Sequence, residues 1–411
     1  MSRRLLGALA VLLLALGVAL AVAVPWDPLP GASLAGDPAR DFTPAQMARE
    51  VAFHSSIRPW SYAALVVGLV VAVALGVTRW GSRLMARLPG GWFGRVVLGT
   101  LVLSVIGRLA TLPLSARGEV VRRDYGLSTH TWASWLGDIG KGVLVGAGLT
   151  ALALIALVGL ARRFPRSWWA WGAGATASLV VAGSFAYPLV VEPVFNDFRP
   201  LPAGELRDDL LSLAAADGVA VDEVLVADAS RRTTALNAYV SGFGSSRRIV
   251  VYDTLLEKAP PEEVRLVVAH ELAHAGSRDV LVGTLLGALG SAAAVCGLAL
   301  VLSWTPLLRR VGADGMGDPR VVPLVLALLA VTSLLIAPAS NLVSRRVEAR
   351  ADVHSLDLTR DAATFAATQK RLALTNISDL DPHPVAYWFF ATHPGVTERL
   401  ALAREWERLR G

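Results

Sequence analysis

Cysteine is nearly missing from this 411-residue chain: Cys296 stands alone. One thiol excludes an intrachain disulfide, and its place inside an apolar run excludes a thiolate metal centre. Lysine is almost as scarce. Only Lys141, Lys258 and Lys370 occur among 39 basic residues, so arginine carries the positive charge. Charged residues make up 18% and aromatic residues 7%, against 54% hydrophobic residues and a mean hydropathy of +0.51. That balance excludes an ordinary soluble protein and points to the membrane. The net charge of +6 and the pI near 9.9 come mostly from arginines at the ends of apolar runs. This is a topology signature and gives no case for a nucleic-acid partner.

What is present in abundance is uninterrupted apolar sequence. Seven runs, at 5–24, 61–78, 96–114, 142–160, 168–191, 280–308 and 321–343, each reach the ~18 residues of a membrane-crossing helix. The fold expected is mainly α: a polytopic membrane protein with seven transmembrane helices and a small α/β domain. Arg3 and Arg4 precede the first run, and Ala21-Val22-Ala23 resembles a signal-peptidase site. Its apolar core exceeds the ~7–15 residues of a signal sequence, so a retained helix is expected. Arg108 interrupts the third run, and an intramembrane arginine faces a cavity or a partner rather than lipid.

Two segments escape the membrane pattern and divide the chain into 1–191 (five spans), 192–279, 280–343 (two spans) and 344–411. Two spans separate the polar segments, so both emerge on one side. The first reads as an α/β unit with a helix over 205–216, strands at 223–226, 236–240 and 248–252, and a helix over 261–275. Residues 241–246 supply turn chemistry that makes the last two strands a hairpin. The second is helical from 344, breaks at 376–384 and ends in a charged helix from 397.

His270-Glu271-Leu272-Ala273-His274 carries the chemistry. Positions i and i+4 share a helix face, so both imidazoles can reach one metal ion, with Glu271 placed to deprotonate an attacking water. Glu348 is the third candidate ligand, since catalytic zinc sites keep three protein ligands and one open position. Asp352, four residues on, shares its face and is read as orienting a ligand from behind. The expected cofactor is one Zn2+ per chain. His54, His130 and His383 read as interfacial or surface residues.

The residues resemble one family, the integral-membrane type I CAAX prenyl endopeptidases, which are gluzincin zinc peptidases. The resemblance runs through Tyr125-Gly126-Leu127-Ser128, Tyr187-Pro188, Phe195-Asn196-Asp197-Phe198-Arg199-Pro200-Leu201 and Asn237-Ala238-Tyr239. It continues through 248–256, the two motif helices, Thr392-His393-Pro394 and Glu398-Arg399-Leu400. It implies a seven-helix barrel around a chamber, closed at one end by the zinc domain, and endoproteolysis of an extended peptide. It implies that Asn237, Ala238 and Tyr239 form a strand edge that pairs with substrate, that His393 stabilises the transition state, and that Arg399 supports His393. The preference for arginine over lysine reads as bacterial, which separates the chemistry of the family from its prenylated substrates.

The expected mechanism has zinc on His270, His274 and Glu348, with Glu271 as general base. The partners expected are the bilayer and a peptide or protein substrate, lipidated or membrane-associated. A general membrane quality-control metalloprotease is the alternative within the class. A site-2-type intramembrane protease carries its motif inside a span, whereas this one precedes the sixth. A non-catalytic seven-helix receptor or transporter would not need three ligands and a base. Arginines at 79–95, 162–166 and 309–320 share a side with Arg3 and Arg4, so the positive-inside rule puts the zinc segments outside the cytoplasm. The family resemblance implies the opposite orientation.

Overall fold

The structure, a computed structural model, describes residues 3–242 and 247–411. The turn expected at 241–246 therefore lies mostly outside the described residues. Among the described residues, seven helices are long and apolar enough to cross a membrane: Arg3–Ala23, Pro44–Val77, Trp92–Asp124, Trp132–Arg163, Trp168–Phe195, Asp279–Leu302 and Pro319–Thr359. Local chemistry sets several of their ends. Thr43 and Gln46 form a reciprocal capping box at the second span, and the Thr131 hydroxyl accepts from the Ser134 amide at the fourth.

The spans pack as a circuit. The seventh lies against the second, the second against the third, and so on in order to the sixth; the sixth also touches the first and, over a short stretch, the seventh. Only 6% of the apolar window is buried in each of the first, second and fifth spans. A filled bundle would cover one face of every helix. A wall one helix thick, open on both faces, accounts for the low values and encloses a chamber.

A four-stranded sheet caps one end. Its strands are β1 (Phe198–Pro200), β2 (Glu223–Ala227), β3 (Ala238–Ser241) and β4 (Arg248–Tyr252), in the order β1-β2-β4-β3. The β2/β4 pair is parallel and the other two are antiparallel. Val224, Val226, Ile249 and Val251 point to one face, where Leu210 and Leu213 of the Glu205–Ala216 helix and Val264, Val268 and Leu272 of the Pro261–Gly276 helix cover them. Alternation puts Leu225, Ala227 and Val250 on the other face. β3 starts two residues later than the pattern at 236–240 suggests. The reason is Asn376, whose side chain accepts from the Leu236 amide at 3.0 Å and holds that residue out of the ladder. β1 has only three residues and gave no periodic signal.

The loop between the first two spans joins the cap. Leu29 packs with Val353, Leu356, Phe365 and Trp406, and Asp41 receives Arg404 at 2.8 Å. At the far end, Arg79 reaches the Arg309 carbonyl and Arg162 the Gly317 carbonyl, so the arginine-rich loops do share one face.

Candidate active site

Pro261 opens the motif helix where a missing amide costs nothing, and Glu262 and Glu263 favour its positive end. Glu263 is buried against Arg371, with bonds of 2.6 and 3.0 Å, which fixes the helix to its neighbour. One turn apart, His270 and His274 face the seventh-span helix. That helix runs unbroken from Val322 to Thr359, so it leaves the membrane and carries Glu348 and Asp352 into the cap as a rigid rod.

The three candidate ligands meet. His270 Nε2 lies 3.3 Å from His274 Nε2 and 3.2 Å from Glu348 Oε2, and His274 Nε2 lies 3.7 Å from Glu348 Oε1. Behind the rings, His270 Nδ1 stands 2.9 Å from Asp352 Oδ1 and His274 Nδ1 stands 2.9 Å from Asp279 Oδ2. A carboxylate beside each Nδ1 keeps the proton there, which turns two Nε2 lone pairs toward one another and toward a carboxylate. Three acceptors converging in this way call for a cation. The spacings also suit one, since donors ~2.0–2.1 Å from a tetrahedral ion stand ~3.3 Å apart. The residues present therefore fit a metal ion.

Without a metal the same surround takes up a proton. Burial opposes charge on His270, but hydrogen bonds to Asp352 and Glu348 outweigh it and raise the imidazole to about 10. Burial likewise raises the Glu271 carboxyl above its ordinary range. Glu271 and His270 open into a cavity of about 810 Å³ that also takes in Asn237, Tyr62, Leu65, Phe390, His393 and Arg399.

The remaining expected residues are placed as follows. His393 reaches the site, with Nε2 3.4 Å from Glu348 Oε2, because Asn341 and Arg345 hold the carbonyls of Phe389 and Ala391 just before it. Arg399 lines the same cavity as His393 and forms two bonds to the fully buried Asp352, one of 2.8 Å. Asn237 lines the cavity, and Ala238 and Tyr239 lie in β3 at the sheet edge beside the motif helix. His354 pairs with Asp217 at 2.7 Å, and His383 caps the Pro384–Phe390 helix. His54 binds the Ile377 carbonyl, and His130 contacts Ser134.

Sequence reasoning missed Asp279. It reads as the acidic first residue of the sixth span, and only the left-handed backbone of Arg278 (φ 57°) turns it back onto His274 and Arg350. A carboxylate five residues after the second histidine is the one available signal.

Known proteins are similar to this chain. Residues 200–407 match the pattern of Peptidase family M48, and residues 54–197 match that of the CAAX prenyl protease N-terminal, five membrane helices. An uncharacterized metalloprotease of Bacillus subtilis, YhfN, is 32% identical over 351 residues, which span 85% of this chain and 82% of that one. The chain belongs to peptidase family M48. CAAX prenyl protease 1 of Saccharomyces cerevisiae is 24% identical over 73% of this M48 chain and 70% of its own length. The crystal structure of Ste24p from S. mikatae shares the fold, with a TM-score of 0.78 over 98% of this chain and 99% of that one at 19% identity. The M48 chain is thus a multi-pass membrane metalloprotease of the CAAX prenyl protease type. The family implies a metal, and His270, His274 and Glu348 form the group that could hold it.

Proposed function

We propose that the chain is a zinc endopeptidase that cleaves peptides or proteins presented in extended form beside the membrane. The observation that carries this reading is the convergence of His270, His274 and Glu348 beside the Glu271 carboxylate at an open cavity. Two imidazoles and a carboxylate are the donor set that zinc favours, with room for a fourth ligand. When bound, the zinc ion supplies Lewis-acid polarisation of the scissile carbonyl and of the attacking water.

The side chains do the rest. Glu271, with its affinity for a proton raised by burial, takes the proton of the water and passes it to the leaving amine. His393 faces the same cavity and donates to the carbonyl oxygen as negative charge gathers there. Asp352 and Asp279 hold the two rings in the tautomer that frees Nε2. Arg399 keeps Asp352 ionised and fixed. Substrate backbone adds to β3. Asn237 accepts from the Tyr252 amide, so Asn237, Tyr239 and Ser241 turn their polar groups to β4, and Ala238 and Val240 turn theirs to the open edge.

The substrate is membrane-associated, and a lipidated peptide is the form suggested by the names of the relatives. The function divides into membrane segments at 1–191 and 280–343 and a catalytic cap assembled from 192–279 and 344–411. The arginine-rich face opposite the cap supports a cap outside the cytoplasm.

The test uses detergent-purified protein and two matched peptides, one farnesylated on a cysteine followed by three C-terminal residues and one bare. Chelator-sensitive cleavage that Glu271→Gln lowers by about 10²–10⁴-fold supports the mechanism. Cleavage of the prenylated peptide alone supports a lipid-reading protease, and equal cleavage of both supports a general membrane protease. Full activity of the Glu271→Gln variant refutes the assignment of the base.

A further inference from the structure

Arg108 is left over by the mechanism. It sits at the middle of the Trp92–Asp124 helix, sixteen residues from either end. Its guanidinium has no hydrogen-bond or ion-pair partner among the described residues. Nor is there a carboxylate in the membrane to serve. Aspartate and glutamate are absent from 3–26, 51–118, 139–191, 280–313 and 319–347. A lone charge at mid-depth costs several kcal/mol in hydrocarbon, so this one must face water and anions.

The helix shows where the water is. Ser104, Arg108, Thr111, Ser115 and Glu119 recur at spacings of four, three, four and four, which is one face. Val102, Ile106, Leu109 and Pro113 occupy the other. Glu119 accepts from Ser128, whose strand bridge to Thr233 joins the cap, so the polar face is the one beneath the cap. Lipid would not solvate that polar face, so Arg108 belongs to the chamber side of the helix.

Its depth relates it to the active site. A Cβ at Gly68 would lie 3.6 Å from the Thr111 methyl, which sets the level of the second span against the third. The two run antiparallel. Leu65, at the deep end of the active-site cavity, is three residues toward the cap from Gly68, and Arg108 is three residues away from the cap below Thr111. At 1.5 Å per residue the arginine stands about 9 Å beyond the cavity floor, within reach of a chain that continues past it.

We infer that Arg108 binds the C-terminal carboxylate of the peptide substrate in the chamber. This rests on the proteolytic reading above. A guanidinium pairs with a carboxylate through two parallel hydrogen bonds, and the terminal carboxylate is the one anion that every peptide carries whatever its sequence. The arginine makes the enzyme specific for free chain ends that thread into the chamber, and sets how far from the end the cut falls.

The test is binding in the metal-loaded Glu271→Gln background, which does not depend on turnover. A fluorescent peptide with a free C-terminus is compared with its carboxamide, with Arg108, Arg108→Lys and Arg108→Gln, each checked for metal content. The free acid should bind about 10–100-fold tighter than the amide. That ratio should fall to near one in Arg108→Gln and in part in Arg108→Lys. A ratio near one with Arg108 intact overturns the inference, as does a ratio that Arg108→Gln leaves in place. The same assay in phosphatidylcholine nanodiscs with and without phosphatidylglycerol separates lipid from peptide. An Arg108-dependent response to phosphatidylglycerol with no acid-over-amide preference assigns the arginine to a lipid phosphate and overturns it. If wild type cleaves neither peptide but the binding ratio holds, the proteolytic reading falls and the carboxylate site stands.

Discussion

Replacing Asp352 by Asn tests the construction of the metal site from behind. Asp352 is fully buried, with one oxygen 2.9 Å from His270 Nδ1 and two bonds from Arg399. Asn fills the same space, and its carbonyl can still accept from Nδ1. Its amide then meets Arg399 donor to donor, and the anion that makes His270 a strong ligand is gone. Loss of such a carboxylate lowers metal affinity by about 10–100-fold. Stripping the partner from a buried charge costs about 3–5 kcal/mol in addition, here because Arg399 is left unpaired. The two effects separate in a double variant. Asp352→Asn with Arg399→Gln should recover much of the stability and none of the affinity. Competition against a chromophoric zinc chelator reads the affinity, and thermal unfolding in detergent reads the stability. A zinc affinity within twofold of wild type in Asp352→Asn would refute the reasoning, because His270 would then need no support from that carboxylate.

Other outcomes follow from the same geometry. Asp279→Asn should weaken zinc binding by about tenfold through His274 in the same competition assay, since that ring loses the carboxylate that stands at its Nδ1. In chelator, His270 has a folded value raised to about 10 against ~6.5 in the unfolded chain. Its contribution to stability is then fully present below pH ~6.5 and is lost as pH rises through about 10, because only the folded state holds the proton over that window. Unfolding temperatures at pH 6.5, 8 and 10 should fall in the metal-free protein and not in the loaded one; parallel curves would contradict the account. By the same linkage, zinc uptake near pH 7 displaces the His270 proton, which calorimetry in buffers of different ionisation enthalpy will detect.

Much of the site could be read from the chain because its spacing is local. His270 and His274 are four residues apart on one helix, and so are Glu348 and Asp352, so each pair shares a face before any tertiary structure exists. What periodicity does not show depends on single backbone turns and on packing. Asp279 reaches His274 only through a left-handed residue at 278, a conformation that arginine seldom adopts and the sequence does not announce. The family resemblance gives Arg399 a supporting role beside His393, and packing of the last helix pairs it with Asp352, 47 residues away. β3 begins late because Asn376, 140 residues away, holds Leu236.

By itself the sequence determined the seven spans, the shared side of the two polar segments, and the donor set for a metal. Each of these depends on run length or on helical period, which act over a turn or a span. Only the tertiary structure decided that the spans form a wall rather than a filled bundle, that the first loop braces the cap, and which carboxylate stands behind which histidine. These depend on a single backbone turn at residue 278 or on contacts between residues tens to hundreds of positions apart, where side-chain packing and backbone turns choose the partner and periodicity is silent.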